Sequence, residues 1–141
     1  MTEKSCGTVL FTMCEGEPRY LLTRARDGYC GFPKGHMEGM ETEAETAWRE
    51  TWEETSICAE VDTGFRAETS YMLKNGNRKV VVYFVGEYAD QTPCHNEGFE
   101  TLDYLSLPFA DARRALTFEN ARDILTRADG YIRKKYGVGS L

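Results

Sequence analysis

A capping box fixes the start of one helix in this chain. In Thr42-Glu43-Ala44-Glu45 the Thr42 side chain caps the helix and the Glu45 side chain reaches back to it. This pattern predicts a helix from Glu43 to about Thr55. Small and apolar residues recur at helical spacing along it and predict the face turned to the core. These residues are Ala44, Ala47, Trp48, Thr51 and Thr55.

Three glutamates share another face of the same helix. Glu50, Glu53 and Glu54 fall within an arc of about 100°, because residues three and four apart lie on one side of a helix. Carboxylates this close repel one another, whereas Mg²⁺ prefers oxygen ligands and commonly keeps waters that a phosphate can displace. Arg49 lies four residues before Glu53 and can orient it. The helix alone is compatible with either a metal site or a solvated acidic face.

The remaining segments carry strand and turn signals, with a helical pattern at the end. Asn75-Gly76 is a strong hairpin turn, and residues 25–40 predict a long glycine-rich loop. Apolar residues at helical spacing predict a helix over residues 118–132. Strands are predicted at residues 5–13, 19–24, 58–61, 65–73, 79–87 and 101–105. Because strands and helices mix without regular βαβ alternation, we expect one α/β domain over residues 1–141, with a mixed sheet between helices in an α/β/α sandwich.

Charge and cysteine content argue against several classes of protein. The formal net charge of −6 disfavours non-specific binding to a nucleic-acid backbone. Five scattered cysteines without a CxxC pair favour free thiols in the cytoplasm over a disulfide framework or a zinc site. No apolar run approaches membrane-spanning length and the first residues lack a signal-peptide pattern, so we expect no membrane association. A monomer and a homodimer both remain open.

The segment around the first helix resembles the signature of the Nudix hydrolase family. Six of the seven residues that the signature specifies by type stand at the required spacing, namely Gly35, Glu41, Arg49, Glu50, Glu53 and Glu54. Two positions depart from the pattern. Ser56 replaces the glycine that ends the helix, which affects the geometry of the helix end, and Thr51 occupies an apolar position.

The resemblance implies a divalent-metal hydrolase that cleaves a phosphoanhydride bond. The metal ligands for Mg²⁺ or Mn²⁺ would be Glu50, Glu53, Glu54 and a backbone carbonyl at Lys34 or Gly35. Glu41 would brace the loop or stand in the outer shell. Metal ions in such a site polarise phosphorus and lower the pKa of a bound water. A carboxylate then takes the proton of that water. The candidates for this base are Glu54 and two residues of a later loop, Glu97 and Glu100.

The loop before the helix narrows the resemblance to one branch of the family. Gly31-Phe32-Pro33-Lys34-Gly35-His36 is similar to a segment of hydrolases of diadenosine tetraphosphate and related dinucleoside polyphosphates. By this resemblance Lys34 and His36 lie near the phosphate chain of a small-molecule nucleotide. Tyr83 either stacks on a base or belongs to the core. Positive charge near the phosphates could also come from Arg24, Arg26, Arg78 and Lys79. Cys30 and Tyr104 stand where tryptophan is frequent in that branch.

Other readings keep the same signature and change the function. The substrate could be an inositol pyrophosphate, the mRNA cap, a nucleotide sugar or a damaged nucleoside triphosphate. Inositol pyrophosphates are densely charged, and an acidic chain offers fewer Lys and Arg residues than we would expect for them. The chain could also be a non-catalytic nucleotide-binding regulator on the same fold, against which the intact Glu50, Glu53 and Glu54 argue.

Overall fold

The computed structural model describes residues 1–94 and 101–139. Within these residues the elements follow the order β1 (Thr2–Cys14), β2 (Glu17–Ala25), β3 (Cys30–Gly31), β4 (Lys34–His36), α1 (Glu43–Thr55), β5 (Glu60–Met72), β6 (Arg78–Glu87), β7 (Thr101–Pro108), α2 (Phe109–Ala115) and α3 (Glu119–Tyr136). The strands form one sheet in the order β3-β2-β1-β6-β5, with β4 paired to β1 and β7 paired to β2. Strands β1 and β6 run parallel, and the other pairs are antiparallel.

Helices cover both faces of this sheet. Successive residues of a strand point to opposite faces, so one strand packs against helices on both sides. Val81, Tyr83 and Val85 of β6 pack in one apolar cluster with buried residues of α2 and α3. Their neighbours Val82 and Phe84 pack on the other side with Ala47 of α1. The mixed sheet therefore lies between helices, and the predicted α/β/α sandwich is confirmed.

Several local predictions need correction. Residues 25–40 hold the short strands β3 and β4, which are too brief to show an alternating pattern. Residues 58–61 and 65–73 contribute to one strand, β5, whose register shifts between Asp62 and Ala67. The short helix α2 was not predicted, because seven residues span too little sequence to reveal a helical period. Among the described residues, no helix has the length and apolar character to cross a membrane. All five cysteines are free.

Helix α1 spans the predicted residues, but its buried face differs from the prediction. Thr46, Ala47, Thr51 and Thr55 are buried. Trp48, which we assigned to the core, is 41% exposed. The helix lies on the sheet with Thr46 turned inward, and Trp48 is left at the margin of the contact. Periodicity predicted that one face is buried, whereas the rotation of that face depends on the partner strands.

Candidate active site

Helix α1 begins with the predicted capping box. The Thr42 hydroxyl accepts a hydrogen bond of 3.1 Å from the Glu45 N–H, and the Glu45 carboxylate accepts one of 2.8 Å from the Thr42 N–H. These bonds satisfy two backbone donors that a helix start leaves unpaired. The start of α1 is therefore fixed by its own sequence.

A buried pair of threonine hydroxyls connects α1 to the sheet. Thr51 Oγ1 lies 2.7 Å from Thr8 Oγ1 of β1, and both residues are fully buried. The Thr51 carbonyl also accepts a 2.6 Å hydrogen bond from the Thr55 hydroxyl. Thr51 thus occupies an apolar position of the signature because Thr8 provides a partner for its hydroxyl. The pair helps to fix which face of α1 is turned outward.

Arg49 gathers the acidic side chains on the outward side of α1. Its Nη1 donates hydrogen bonds of 2.7 Å to Glu50 Oε1 and 3.1 Å to Glu53 Oε2. Its Nε donates one of 2.6 Å to Glu41 Oε2, and its Nη2 donates one of 2.9 Å to the His36 carbonyl. The hydrogen bond from Arg49 lowers the pKa of Glu41 to about 2. One guanidinium therefore joins the loop before α1 to the glutamates on it.

Glu54 lies deepest in this cluster and contacts the preceding loop. Its Oε2 accepts a 2.6 Å hydrogen bond from the backbone N–H of Lys34 in β4. Burial raises the pKa of Glu54 to about 8, against the opposing effect of that hydrogen bond. Burial also raises the pKa of Glu50. Both carboxyls are thus held where their ionised forms lack solvation, an arrangement often found at functional sites.

Two glycines allow the loop to approach α1 this closely. A Cβ on Gly35 would lie 2.1 Å from the carboxylate of Glu50. A Cβ on Gly7 of β1 would lie 2.1 Å from the Pro33 carbonyl oxygen, beside the pairing of β4 with β1 that places Lys34 next to Glu54. The Gly35 position in the signature is therefore explained by space for the Glu50 carboxylate.

The donor chemistry fits a hard divalent cation, although the carboxylates are held by Arg49. Oxygen atoms of Glu50, Glu53 and Glu54 are the ligand type that Mg²⁺ and Mn²⁺ prefer. Among residues 1–94 and 101–139, however, no three candidate ligands are already arranged around a common point. A cation would therefore have to replace part of the ion pairing between Arg49 and Glu50 or Glu53.

Basic residues lie on the other side of the loop. Lys79 Nζ of β6 lies 2.8 Å from His36 Nε2, and Lys79 is only 6% exposed. Burial, with a smaller effect from Lys34, lowers the pKa of Lys79. His36 Nε2 also lies 3.4 Å from Glu3 Oε1. The sequence named Lys79 only as one of several possible charges, and the parallel pairing of β1 with β6 places it opposite Glu3, beside His36.

A pocket of about 350 Å³ lies beside Lys34. Tyr83 is 5% exposed and belongs to the core, yet it also lines this pocket and packs edge-on against Phe32 at 5.4 Å between ring centroids. Tyr71 and Phe118 line the same pocket and are 41% and 54% exposed. Tyr83 therefore belongs to the core, one of the two alternatives, and its ring also forms part of the pocket wall.

Two further predicted residues, Arg24 and Arg78, have other partners among the described residues. Arg24 Nη2 donates a 2.7 Å hydrogen bond to Asp103 Oδ2 of β7, and within the described residues it contacts neither Lys34 nor His36. Arg78 Nη2 donates to the Ser70 hydroxyl at 3.2 Å. Glu97 and Glu100 lie outside the described residues. The site as described therefore consists of α1, the loop before it, and the start of β6.

Comparison with known proteins gives consistent matches. A family profile, that of the NUDIX domain, matches residues 4–128. The chain is 37% identical over 101 residues to the asymmetrical bis(5'-nucleosyl)-tetraphosphatase of Mus musculus, covering 64% of this chain and 68% of that protein. It is 33% identical over 143 residues to the protein of the same name from Sus scrofa, covering 94% of this chain and 97% of that one.

Solved structures show the same fold. The structure resembles the Ap4A hydrolase of C. elegans in a binary complex, with a TM-score of 0.85, 22% identity, and coverage of 94% of this chain and 98% of that one. It also resembles the NUDIX domain of NrtR from Shewanella oneidensis complexed with ADP ribose, with a TM-score of 0.77, 17% identity, and coverage of 94% and 89%. At these identities the structural likeness concerns the fold.

Proposed function

The chain belongs to the Nudix family, whose profile matches residues 4–128, and we propose that it hydrolyses dinucleoside polyphosphates such as diadenosine tetraphosphate to a nucleoside triphosphate and a nucleoside monophosphate. One observation carries this proposal. The hydrogen bond of 2.6 Å between the Lys34 N–H and Glu54 joins a carboxylate-rich helix face to a loop that borders a pocket of nucleoside size. The proposed hydrolytic and substrate-binding groups would thus be adjacent.

We propose that Glu50, Glu53, Glu54 and a backbone carbonyl at Gly35 hold Mg²⁺ or Mn²⁺. Dependence on divalent metal ions is general in this family. The metal would polarise the phosphoanhydride and lower the pKa of an attacking water. The hydrogen bonds from Arg49 to Glu50 and Glu53 support the proposal, because they hold both carboxylates toward one side of the helix.

Glu54 is the proposed proton acceptor among the described residues. Without a bound metal, burial raises its pKa to about 8, close to the neutral pH at which a general base accepts and releases a proton most effectively. Arg49 and Glu41 would position Glu53 without contacting the substrate. Glu97 and Glu100, which lie outside the described residues, remain proposed alternatives for the base.

The basic residues and the pocket suit different parts of one nucleotide. Lys34, Lys79 and His36 would contact the phosphate chain, since cationic donors form strong hydrogen bonds to phosphate oxygens. The wall made by Tyr83, Val81 and Ala121 offers an apolar surface for a nucleoside. Arg24 would join the phosphate contacts only after its ion pair with Asp103 opens. An inositol pyrophosphate has no base for this pocket, so the pocket favours a nucleotide.

The names of the relatives support the position of cleavage. The mouse and pig proteins are named asymmetrical tetraphosphatases, and each is more than 30% identical to this chain. We propose the same asymmetry here.

The proposed partner is a small-molecule nucleotide, and we propose that the chain binds neither a nucleic acid nor a membrane. It would act as a monomer or homodimer. We also propose a cytoplasmic location, which the free, scattered cysteines support.

A substrate panel tests this proposal. The specificity constant kcat/KM is measured with Mg²⁺ for diadenosine tetraphosphate, an inositol pyrophosphate, a nucleotide sugar and a nucleoside triphosphate. We expect diadenosine tetraphosphate to exceed the others by about tenfold or more. The matched control is Glu68→Gln, which alters an exposed carboxylate outside the site and leaves activity unchanged. A preference for any rival substrate would overturn the proposed branch.

A further inference from the structure

The C-terminal end of α1 is held by contacts from distant parts of the chain. The last four carbonyls of a helix lack partners within the helix. Here the local cap residue Ser56 donates its N–H to the Trp52 carbonyl at 2.7 Å. From a distant part of the chain, the Cys94 N–H donates to the Thr55 carbonyl at 3.0 Å. The Glu54 carbonyl accepts a 2.7 Å hydrogen bond from the hydroxyl of Tyr104 in β7.

The residue that ends the helix makes these contacts more important. Ser56 adopts the left-handed conformation, with φ 61°. Glycine reaches this conformation without steric cost, whereas serine does not. The local sequence therefore provides a weaker helix end than the glycine of the family pattern. Donors from outside the helix compensate for this weakness, and Tyr104 is the one that bonds to Glu54.

Tyr104 is itself well fixed. Its backbone is paired with Thr23 of β2 in the sheet register. Its ring packs against a buried cluster that includes Leu10, Leu21 and Ile57. The hydroxyl is therefore presented from a strand that is paired in the sheet. Such a donor can fix the height and rotation of the last helical turn.

Glu54 is consequently held at both ends. The Lys34 N–H holds its carboxylate at 2.6 Å, and the Tyr104 hydroxyl holds its carbonyl at 2.7 Å. If the carbonyl moves, the last turn shifts and the carboxylate moves with it, because side chain and carbonyl share one Cα. We propose that Tyr104 is a positioning residue for Glu54 and acts through the C-terminal turn of α1. This inference deepens the proposed function and rests on it.

The test compares Tyr104→Phe with Tyr88→Phe. Both changes remove one phenolic hydroxyl from the same apolar cluster, but only Tyr104 bonds to Glu54. The first readout is the rate of hydrogen exchange at the Lys34 amide, which NMR measures in the absence of metal and substrate. We expect this amide to exchange at least about fivefold faster in Tyr104→Phe than in the wild type, because its acceptor is displaced. It should be unchanged in Tyr88→Phe.

The second readout is steady-state kinetics on diadenosine tetraphosphate. In Tyr104→Phe we expect kcat to fall about tenfold or more while KM stays within about twofold, since a residue that acts on Glu54 leaves substrate binding intact. Equal Lys34 exchange in wild type and Tyr104→Phe would overturn the inference, as would an equal loss of kcat in Tyr88→Phe. Failure of the substrate proposal can be distinguished from failure of this inference. If the proposed substrate were wrong, the enzyme would prefer another substrate, but the Lys34 amide would still exchange faster in Tyr104→Phe.

Discussion

The backbone N–H of Lys34 donates a 2.6 Å hydrogen bond to Glu54 Oε2, across a sequence separation of 20 residues. The bond uses the Lys34 backbone and leaves its ammonium group available for a substrate. It also ties the loop before α1 to the most buried carboxylate of the helix. A displacement of the loop must therefore move or release Glu54. The loop at Lys34 and the carboxylate of Glu54 are therefore coupled.

Removing either of two carboxylates should abolish most of the activity. Glu53→Gln and Glu54→Gln each replace a proposed metal ligand by an amide of nearly the same shape, so the fold should persist. We expect kcat to fall by about two orders of magnitude or more, the scale of lost acid–base catalysis. Kinetics with Mg²⁺ and circular dichroism of both variants check this. Unchanged kcat in either variant, or full activity in excess chelator, would contradict the metal-site assignment.

The metal-free protein should lose stability as pH rises toward 8. Burial raises the folded-state pKa of Glu54 from an ordinary 4.5 to about 8. Between these values the folded protein holds a proton that the unfolded chain has released, so the free energy of unfolding falls with increasing pH. The free energy of unfolding can change by at most about 1.4 kcal/mol per unit of pKa shift, and the change is smaller where water solvates the carboxylate.

Urea unfolding with chelator at pH 5, 6.5 and 8 measures this slope. Glu54→Gln does not titrate, so its free energy of unfolding should depend less on pH over the same interval. Ionisable groups other than residue 54 are the same in both proteins and cancel in the difference. Parallel pH profiles for the wild type and Glu54→Gln would argue that Glu54 ionises normally.

The Lys34 side chain should contribute to transition-state binding. Lys34→Ala keeps the backbone N–H that holds Glu54 and removes the side chain beyond Cβ together with its ammonium group. We expect kcat/KM to fall about ten- to a hundredfold, which corresponds to roughly 1.5–3 kcal/mol for a hydrogen bond to a charged group. Lys34→Arg should restore only part of the loss, because a planar guanidinium does not replace a compact ammonium. Lys74→Ala, in the exposed hairpin, is the matched control.

The two buried threonine hydroxyls should depend on each other for stability. Thr51→Val leaves Thr8 Oγ1 without its partner at 2.7 Å, and Thr8→Val does the converse. Each single change should destabilise the fold by about 1–3 kcal/mol, the cost of an unsatisfied buried polar group. The double variant should lose less than the sum of both, which a double-mutant cycle in urea measures. Additive losses would mean that the hydroxyls do not interact.

Features encoded locally were predicted well from the sequence. The capping box and the helical spacing are contained within α1, and the helix spans the predicted residues. The signature also pointed to Ser56 as an unusual helix end, and Ser56 does adopt a left-handed conformation. The shared face of Glu50, Glu53 and Glu54 follows from helix geometry alone.

Features that depend on distant contacts were not predictable in the same way. Lys79 lies beside His36, 43 residues away in the sequence, because β6 and β4 both pair with β1. The bond from Tyr104 to Glu54 spans 50 residues. The exposure of Trp48 depends on how α1 is rotated against the sheet. Such facts arise from tertiary packing, about which a single sequence carries little direct signal.

The products formed from diadenosine tetraphosphate test the central claim most directly. The wild-type protein is incubated with this substrate and Mg²⁺, and the first products are separated by anion-exchange chromatography before any secondary hydrolysis. We predict ATP and AMP in equal amounts, formed more slowly by about two orders of magnitude or more in the Glu53→Gln control. Two molecules of ADP, or no hydrolysis of this substrate by active enzyme, would contradict the proposed function.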